Sequence, residues 1–205
     1  MVGTYFYHQI LRRTVIGFGT LFNNIEIRQK NDAGEYANRM KVPMAYGPIQ
    51  KFLAKVEEGS LRGRPAITLP RLSFEMTGIT YDPTRKATVT QTFKSVNGAN
   101  AGGVKKVYMP VPYNVAFQLS IATKTNDDML QIIEQILPYF QPSLNVTINL
   151  VDSIGEKRDV PIVLENINMS DDYEGNFDNR RAMITTMTFT AKTYMFGAIA
   201  DTPDG

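Results

Sequence analysis

At 205 residues and 43% hydrophobic, the chain is long enough for one well-formed core, and its composition excludes a disordered protein. Twenty-two lysines and arginines against 20 acids leave a formal net charge of +2, too weak a field to imply a polyanion partner. The absence of cysteine excludes disulfides, thiolate metal sites and cysteine nucleophiles together. No leader-like pattern opens the chain and no apolar run approaches a membrane span, so the expectation is a soluble intracellular product without membrane contact.

In chain order, residues 5–13 read as a short helix. A β-rich piece follows through Val15, Phe18, Leu21, Phe22, Ile25 and Ile27, with Gly17 and Gly19 at the boundary. "KNDAGEY" is a turn signal, and beyond it Met40, Val42 and Met44 alternate, which predicts a hairpin. "GPIQKFLAKVEEG" reads as a helix with Pro48 near its start and Gly59 past its end, and "SLRGRPAITLP" as a loop. Leu72, Phe74 and Met76 open the next strand. "YDPTRK" turns it, with Pro83 at the first corner and Asp82 bonding its own backbone, and Ala87, Val89 and Phe93 return.

"SVNGANAGGVKK" reads as an exposed loop, and 97–106 and the tail 198–205 are the segments expected to be flexible. The longest strand carries Val107, Met109, Val111, Tyr113, Val115, Phe117, Leu119 and Ile121 on one face. Pro110 and Pro112 place its first half at a sheet edge or beyond the sheet. A helix follows with Met129, Leu130, Ile132, Ile133, Ile136, Leu137 and Phe140 on one arc, Asn126 or Asp127 as N-cap, and Pro138 and Pro142 as stops. Leu144, Val146, Ile148 and Leu150 alternate as a strand, and this strand-helix-strand unit predicts a right-handed crossover if both strands share a sheet. "DSIGEKRD" turns the chain into Val160, Ile162 and Leu164, and Met183, Met187, Phe189 and Ala191 form the last strand. The fold class is α+β: one twisted mixed sheet with a few packed helices, in a single domain over 1–205.

Three constellations resemble active sites. His8 is the only histidine, with no serine or acid in a recognised relation to it. "SDDYEGNFD" is acidic, but its glycine and glutamate fall out of calcium-loop register, so it reads as a solvated turn. In "GANAGGVKK", Val104 stands where a phosphate loop needs lysine and a strand follows where a helix is required, so it reads as a hairpin tip. No catalytic, cofactor or metal residue is assigned.

"LRRTVIGFGTLFNNI", "VPMAYGPIQKFLAKV", "LPRLSFEMTGITYDPTRK", "VPYNVAFQLSI", "DDMLQIIEQILPYFQPSLNVTINL" and "DDYEGNFDNRRAMITTMTFTAKTYMFG" cover about residues 11–197. Together they resemble the proximal tail sheath stabilisers, or tail completion proteins, of contractile-tailed bacteriophages related to T4. The resemblance implies a tail-terminator-like fold and a non-enzymatic structural virion protein, assembled in the host cytoplasm. Such a protein forms a homo-hexameric ring at the head-proximal end of the tail. It implies contacts with the sheath protein, the tail tube or tube terminator and the neck proteins, with DNA met only in the lumen. Ring contacts between unlike patches favour paired arginines and carboxylates. The candidates are Arg12, Arg13, Arg180 and Arg181, with Lys105 and Lys106, against Asp171, Asp172 and Glu174. Two other classes stay open: a small enzyme with a dispersed site, which needs a deep polar pocket, and a sequence-tolerant DNA-binding module, which needs steep salt dependence.

Overall fold

A computed structural model describes residues 5–30, 36–52, 54, 69–88, 92–96, 104–172 and 182–201. Its elements are α1 (Ile10–Leu21), β1 (Glu26–Lys30), β2 (Tyr36–Lys41), β3 (Met44–Tyr46), β4 (Arg71–Tyr81), β5 (Thr92–Val96), β6 (Val104–Tyr108) and β7 (Val111–Thr123). They continue as α2 (Asn126–Ile136), β8 (Ser143–Val151), β9 (Glu156–Asp172), β10 (Ala182–Met195) and β11 (Ala200–Asp201). The main sheet has the order β3-β4-β7-β10-β9-β8, mixed because β3 and β4 are parallel while every other pair is antiparallel. A β1-β2 ribbon and a β11-β6-β5 sheet stand beside it, so the α+β class holds with three sheets in place of one.

The amino-terminal reading is corrected: 5–9 has no regular structure, and the helix runs through the stretch expected to be β-rich. Ile10, Thr14, Phe18 and Phe22 recur every fourth residue and are all buried, and Thr14 satisfies its hydroxyl on the Ile10 carbonyl at 2.9 Å. Two glycines inside this helix lower its intrinsic propensity by about 1 kcal/mol each relative to alanine. Close approach to the sheet explains them. A Cβ on Gly19 would stand 2.7 Å from Phe74 Cζ, and one on Gly17 would stand 3.3 Å from Ile148 Cδ1.

These two contacts predict opposite signs for the same substitution. Gly17→Ala meets the end of a flexible isoleucine and should stabilise the protein by about 0.5–1 kcal/mol through helix propensity. Gly19→Ala meets a ring held between Phe18 and Tyr46, at centroid distances of 5.6 and 5.3 Å, which cannot swing aside. Overpacking then outweighs propensity and stability should fall by about 1 kcal/mol. Urea melts of both variants check this, and equal shifts would refute the close approach.

The long strand is broken at Met109 and Pro110: its first residues, Val107 and Tyr108, lie in β6 beyond the main sheet, as expected, while β7 lies inside that sheet between β4 and β10. Pro112 is tolerated there because its carbonyl accepts from Asp82 N at 3.2 Å, so its missing N–H faces the point where β4 has ended. The crossover expectation is corrected too: β7 and β8 share the sheet with β10 and β9 between them and run antiparallel, so the handedness rule does not apply. β5 returns onto β6, not onto β4. Of the segments expected to be flexible, 104–106 lies in β6 and 200–201 pairs with it, while 97–103 and 202–205 fall outside the described residues. The helix at "GPIQKFLAKVEEG" is present at 49–52, and of the loop at 60–70 residues 69–70 form a bend while 60–68 lie outside the described residues.

α2 is capped by Thr125, one residue before the expected cap, with its hydroxyl accepting from Asp128 N at 3.3 Å. Met129, Ile132, Ile133 and Ile136 are buried as expected, whereas Leu130 and Leu137 are exposed. Its polar face has a structural task. The Gln131 amide accepts from Arg28 N at 3.0 Å and donates to Arg28 O at 3.1 Å. Gln135 does the same for Glu26 N and O at 3.3 and 2.7 Å. Residues four apart on a helix thus match residues two apart on a strand, and the glutamines seal the outer edge of β1.

Candidate assembly surface

Among the described residues no group of three or more histidine, cysteine, aspartate or glutamate side chains converges to hold a metal ion. A polar cleft of about 410 Å³ is lined by Glu26, Arg28, Arg39, Gln131 and Glu134, and its charges balance, with Arg39 paired to Glu26. His8 is half-buried and bonds the Gly197 carbonyl at 2.9 Å, which makes it a tether for residues 5–9.

The best-organised polar cluster lies at the turn after β4. Asp82 accepts from Thr84 N at 3.0 Å, from Thr84 Oγ1 at 2.6 Å and from Arg85 Nε at 2.8 Å. The Thr84 hydroxyl, then Arg85, hold its carboxyl well below the usual carboxylate range. Arg85 also donates to Asn114 Oδ1 at 2.8 Å and lies 5.0 Å from the centroid of Tyr194. Arg158 lies 4.9 Å from the same ring. Every charged group here already has a partner, so the cluster locks the ends of β4, β7 and β10 together and presents no free group for chemistry.

The expected contact residues that are described stand on three elements, α1, β6 and β9. Arg13 is engaged within the chain: it pairs with Asp152 and donates to the Asn149 carbonyl at 2.6 Å, tying α1 to the end of β8. Hydrogen bonding from Arg13 lowers the Asp152 carboxyl below its ordinary range. Arg12 lies exposed on the same helix. Asp171 and Asp172 end β9 opposite Met183 and Ala182, and Lys105 and Lys106 stand in β6 opposite Asp201 and Ala200. Glu174, Arg180 and Arg181 fall outside the described residues.

Several exposed aromatic groups lie apart from these charged residues. Tyr5, Phe6 and Tyr7, just before α1, are 91%, 49% and 62% exposed, and Tyr139 is 67% exposed beside an apolar groove. Three aromatic residues in a row with no periodic partner were the available signal.

Residues 5–205 match the family described as T4-like virus Myoviridae tail sheath stabiliser. The chain belongs to this family. A curated relative, the tail completion protein gp15 of Enterobacteria phage T4, is 31% identical over 205 residues, covering 96% of this chain and 74% of the relative. Family membership makes the chain a structural component of a phage tail, located in the virion and associated with other tail components.

Proposed function

We propose that the chain forms a homo-hexameric ring at the head-proximal end of a contractile tail, where it holds the last turn of sheath and tube and joins the tail to the neck. It does so without catalysis. The family match over nearly the whole chain carries this reading. The fold agrees with such a role: a six-stranded sheet with two smaller sheets beside it and helices packed on it is a stiff block, and its uncovered aromatic residues lie on the residues before α1, the groove rim and strand ends away from the core. Partners are a second copy of the chain, the sheath protein, the tube or its terminator and the neck proteins, with DNA met only as it passes through the lumen.

Imaging of the purified protein alone and mixed with uncapped tails tests the proposal. Six-fold rings seated at one tail end are the expected result. Tails left uncapped, or protein bound along the sheath, would overturn it.

A further inference from the structure

Residues 5–9, the described residues before α1, and the outer edge of β8 are two uncovered features of the molecule. The arm leaves the helix at Gln9, a non-glycine residue in the left-handed region at φ 59°, and is anchored by His8 on Gly197. Beyond that anchor Tyr5, Phe6 and Tyr7 meet solvent, an aromatic sequence with strong strand preference.

β8 is the edge that could receive it. Leu164 N donates to Pro142 O at 3.4 Å, and Leu144, Val146 and Ile148 continue that register opposite Ile162, Val160 and Arg158. By the alternation of antiparallel pairs, Asn145, Thr147 and Asn149 direct their N–H and C=O groups outward. Among the described residues, the Asn149 carbonyl is taken by Arg13, while Asn145 and Thr147 have no strand on that side. Of the other edges, β1 is sealed by glutamines, β2 carries Arg39 and Lys41, β5 includes Lys94, β3 and β11 have three and two residues, and β4 beyond β3 is interrupted by a bulge at Met76–Gly78, whereas nine-residue β8 contains no lysine, arginine or proline. Beside its first residues opens a groove of about 490 Å³ lined by Leu21, Ile136, Pro138, Tyr139, Phe140 and Leu144.

The occupant is a second copy. Arg13 on Asn149 sets the start of α1 at the far end of β8, and Phe22, 6.3 Å from Phe140, sets its end beside the groove. Arm and groove therefore stand about 18 Å apart on one molecule, the length of a twelve-residue helix. Five residues span at most about 17 Å, and the tether at His8 removes part of that reach. A second copy carries the same two features, and a contact between unlike patches repeats in one direction and makes a ring where its rotation closes.

We propose that residues 5–7 of one copy add as a strand to the outer edge of β8 in the next copy, with aromatic side chains seated in the groove beside Leu144. Strand addition supplies backbone bonds at Asn145 and Thr147, and alternate side chains supply the fit. This joint deepens the ring reading and rests on it.

Cross-linking in the full chain tests it, because the chain has no native cysteine to give a background. Phe6→Cys and Asn145→Cys variants, mixed and mildly oxidised, should form a covalent dimer that either variant alone does not. Asn145→Pro removes an outward N–H without breaking a ladder bond, so it should weaken self-association by about tenfold or more while leaving the melting curve in place. If that variant melts early, the exposed triple variant Tyr5→Ser, Phe6→Ser, Tyr7→Ser serves in its place. Should the wild type form rings while the cysteines stay unlinked and the variants assemble normally, the joint is wrong and the ring stands. Should the wild type remain monomeric both alone and on tails, the ring reading fails and takes the joint with it. Linkage only within a single doubly substituted chain would also overturn the proposal.

Discussion

Replacing Phe18 by alanine is expected to lower the stability of the fold by about 3–5 kcal/mol, the range for removing a buried phenylalanine. Phe18 has no exposed surface and sits where α1 crosses the sheet. Its ring stacks on Phe117 at 4.4 Å and meets Phe189 edge-on at 5.3 Å, Phe22 at 5.1 Å and Phe74 at 5.6 Å. Those neighbours come from the helix end and from β4, β7 and β10, so no single shift collapses the cavity, and the upper half of the range is expected. Urea unfolding checks the value, with the exposed Ile79→Ala as a control that should stay within about 0.5 kcal/mol. A loss below about 1 kcal/mol at Phe18 would mean that α1 is not docked as described.

How well the sequence could be read follows the kind of signal each element carries. β8 and the stretch of β10 from Thr185 to Thr193 alternate and were legible, because a sheet buried on one face writes a two-residue period into the chain, while at the starts of β4 and β10 both faces are buried and only the apolar residues gave the strand away. α1 was not. Its stripe Ile10, Thr14, Phe18, Phe22 is interrupted by a threonine whose hydroxyl is satisfied inside the helix, and its glycines read as breakers when their cause is a ring on β4, distant in sequence. The break between β6 and β7 and the placement of Pro112 also depend on partners that a local reading does not contain.

Surface features were harder still. Charge rules single out arginines and aspartates without showing which are engaged within the chain, as Arg13 is with Asp152 and Asn149. The unpaired edge of β8 has no local signature, since outward and inward backbone groups alternate in any strand and only the identity of the neighbouring strand makes one edge free. Residues 5–7 were visible as aromatic, but a short helix over 5–13 would have buried their significance along with their backbone.

Ile133→Ala and Leu130→Ala should part company, although both residues lie on the apolar arc that periodicity draws on α2. Ile133 is 5% exposed and packs into the core under the helix, so its truncation should cost about 2–5 kcal/mol. Leu130 is 43% exposed, and its truncation should change stability by about 0.5 kcal/mol or less, since the higher helix propensity of alanine offsets part of the small apolar area that truncation removes. The difference arises because the helix is held at two levels. Met129, Ile132, Ile133 and Ile136 face the sheet, while Gln131 and Gln135 grip β1 from the side, and that lateral grip fixes the rotation of the helix so that Leu130 and Leu137 roll out toward solvent. Removing the grip with Gln131→Ala and Gln135→Ala in the Leu130→Ala background gives the decisive comparison. If α2 then rotates, Leu130 becomes part of the core and its truncation acquires a cost, whereas an unchanged small effect would show that the sheet-facing isoleucines alone set the register of the helix.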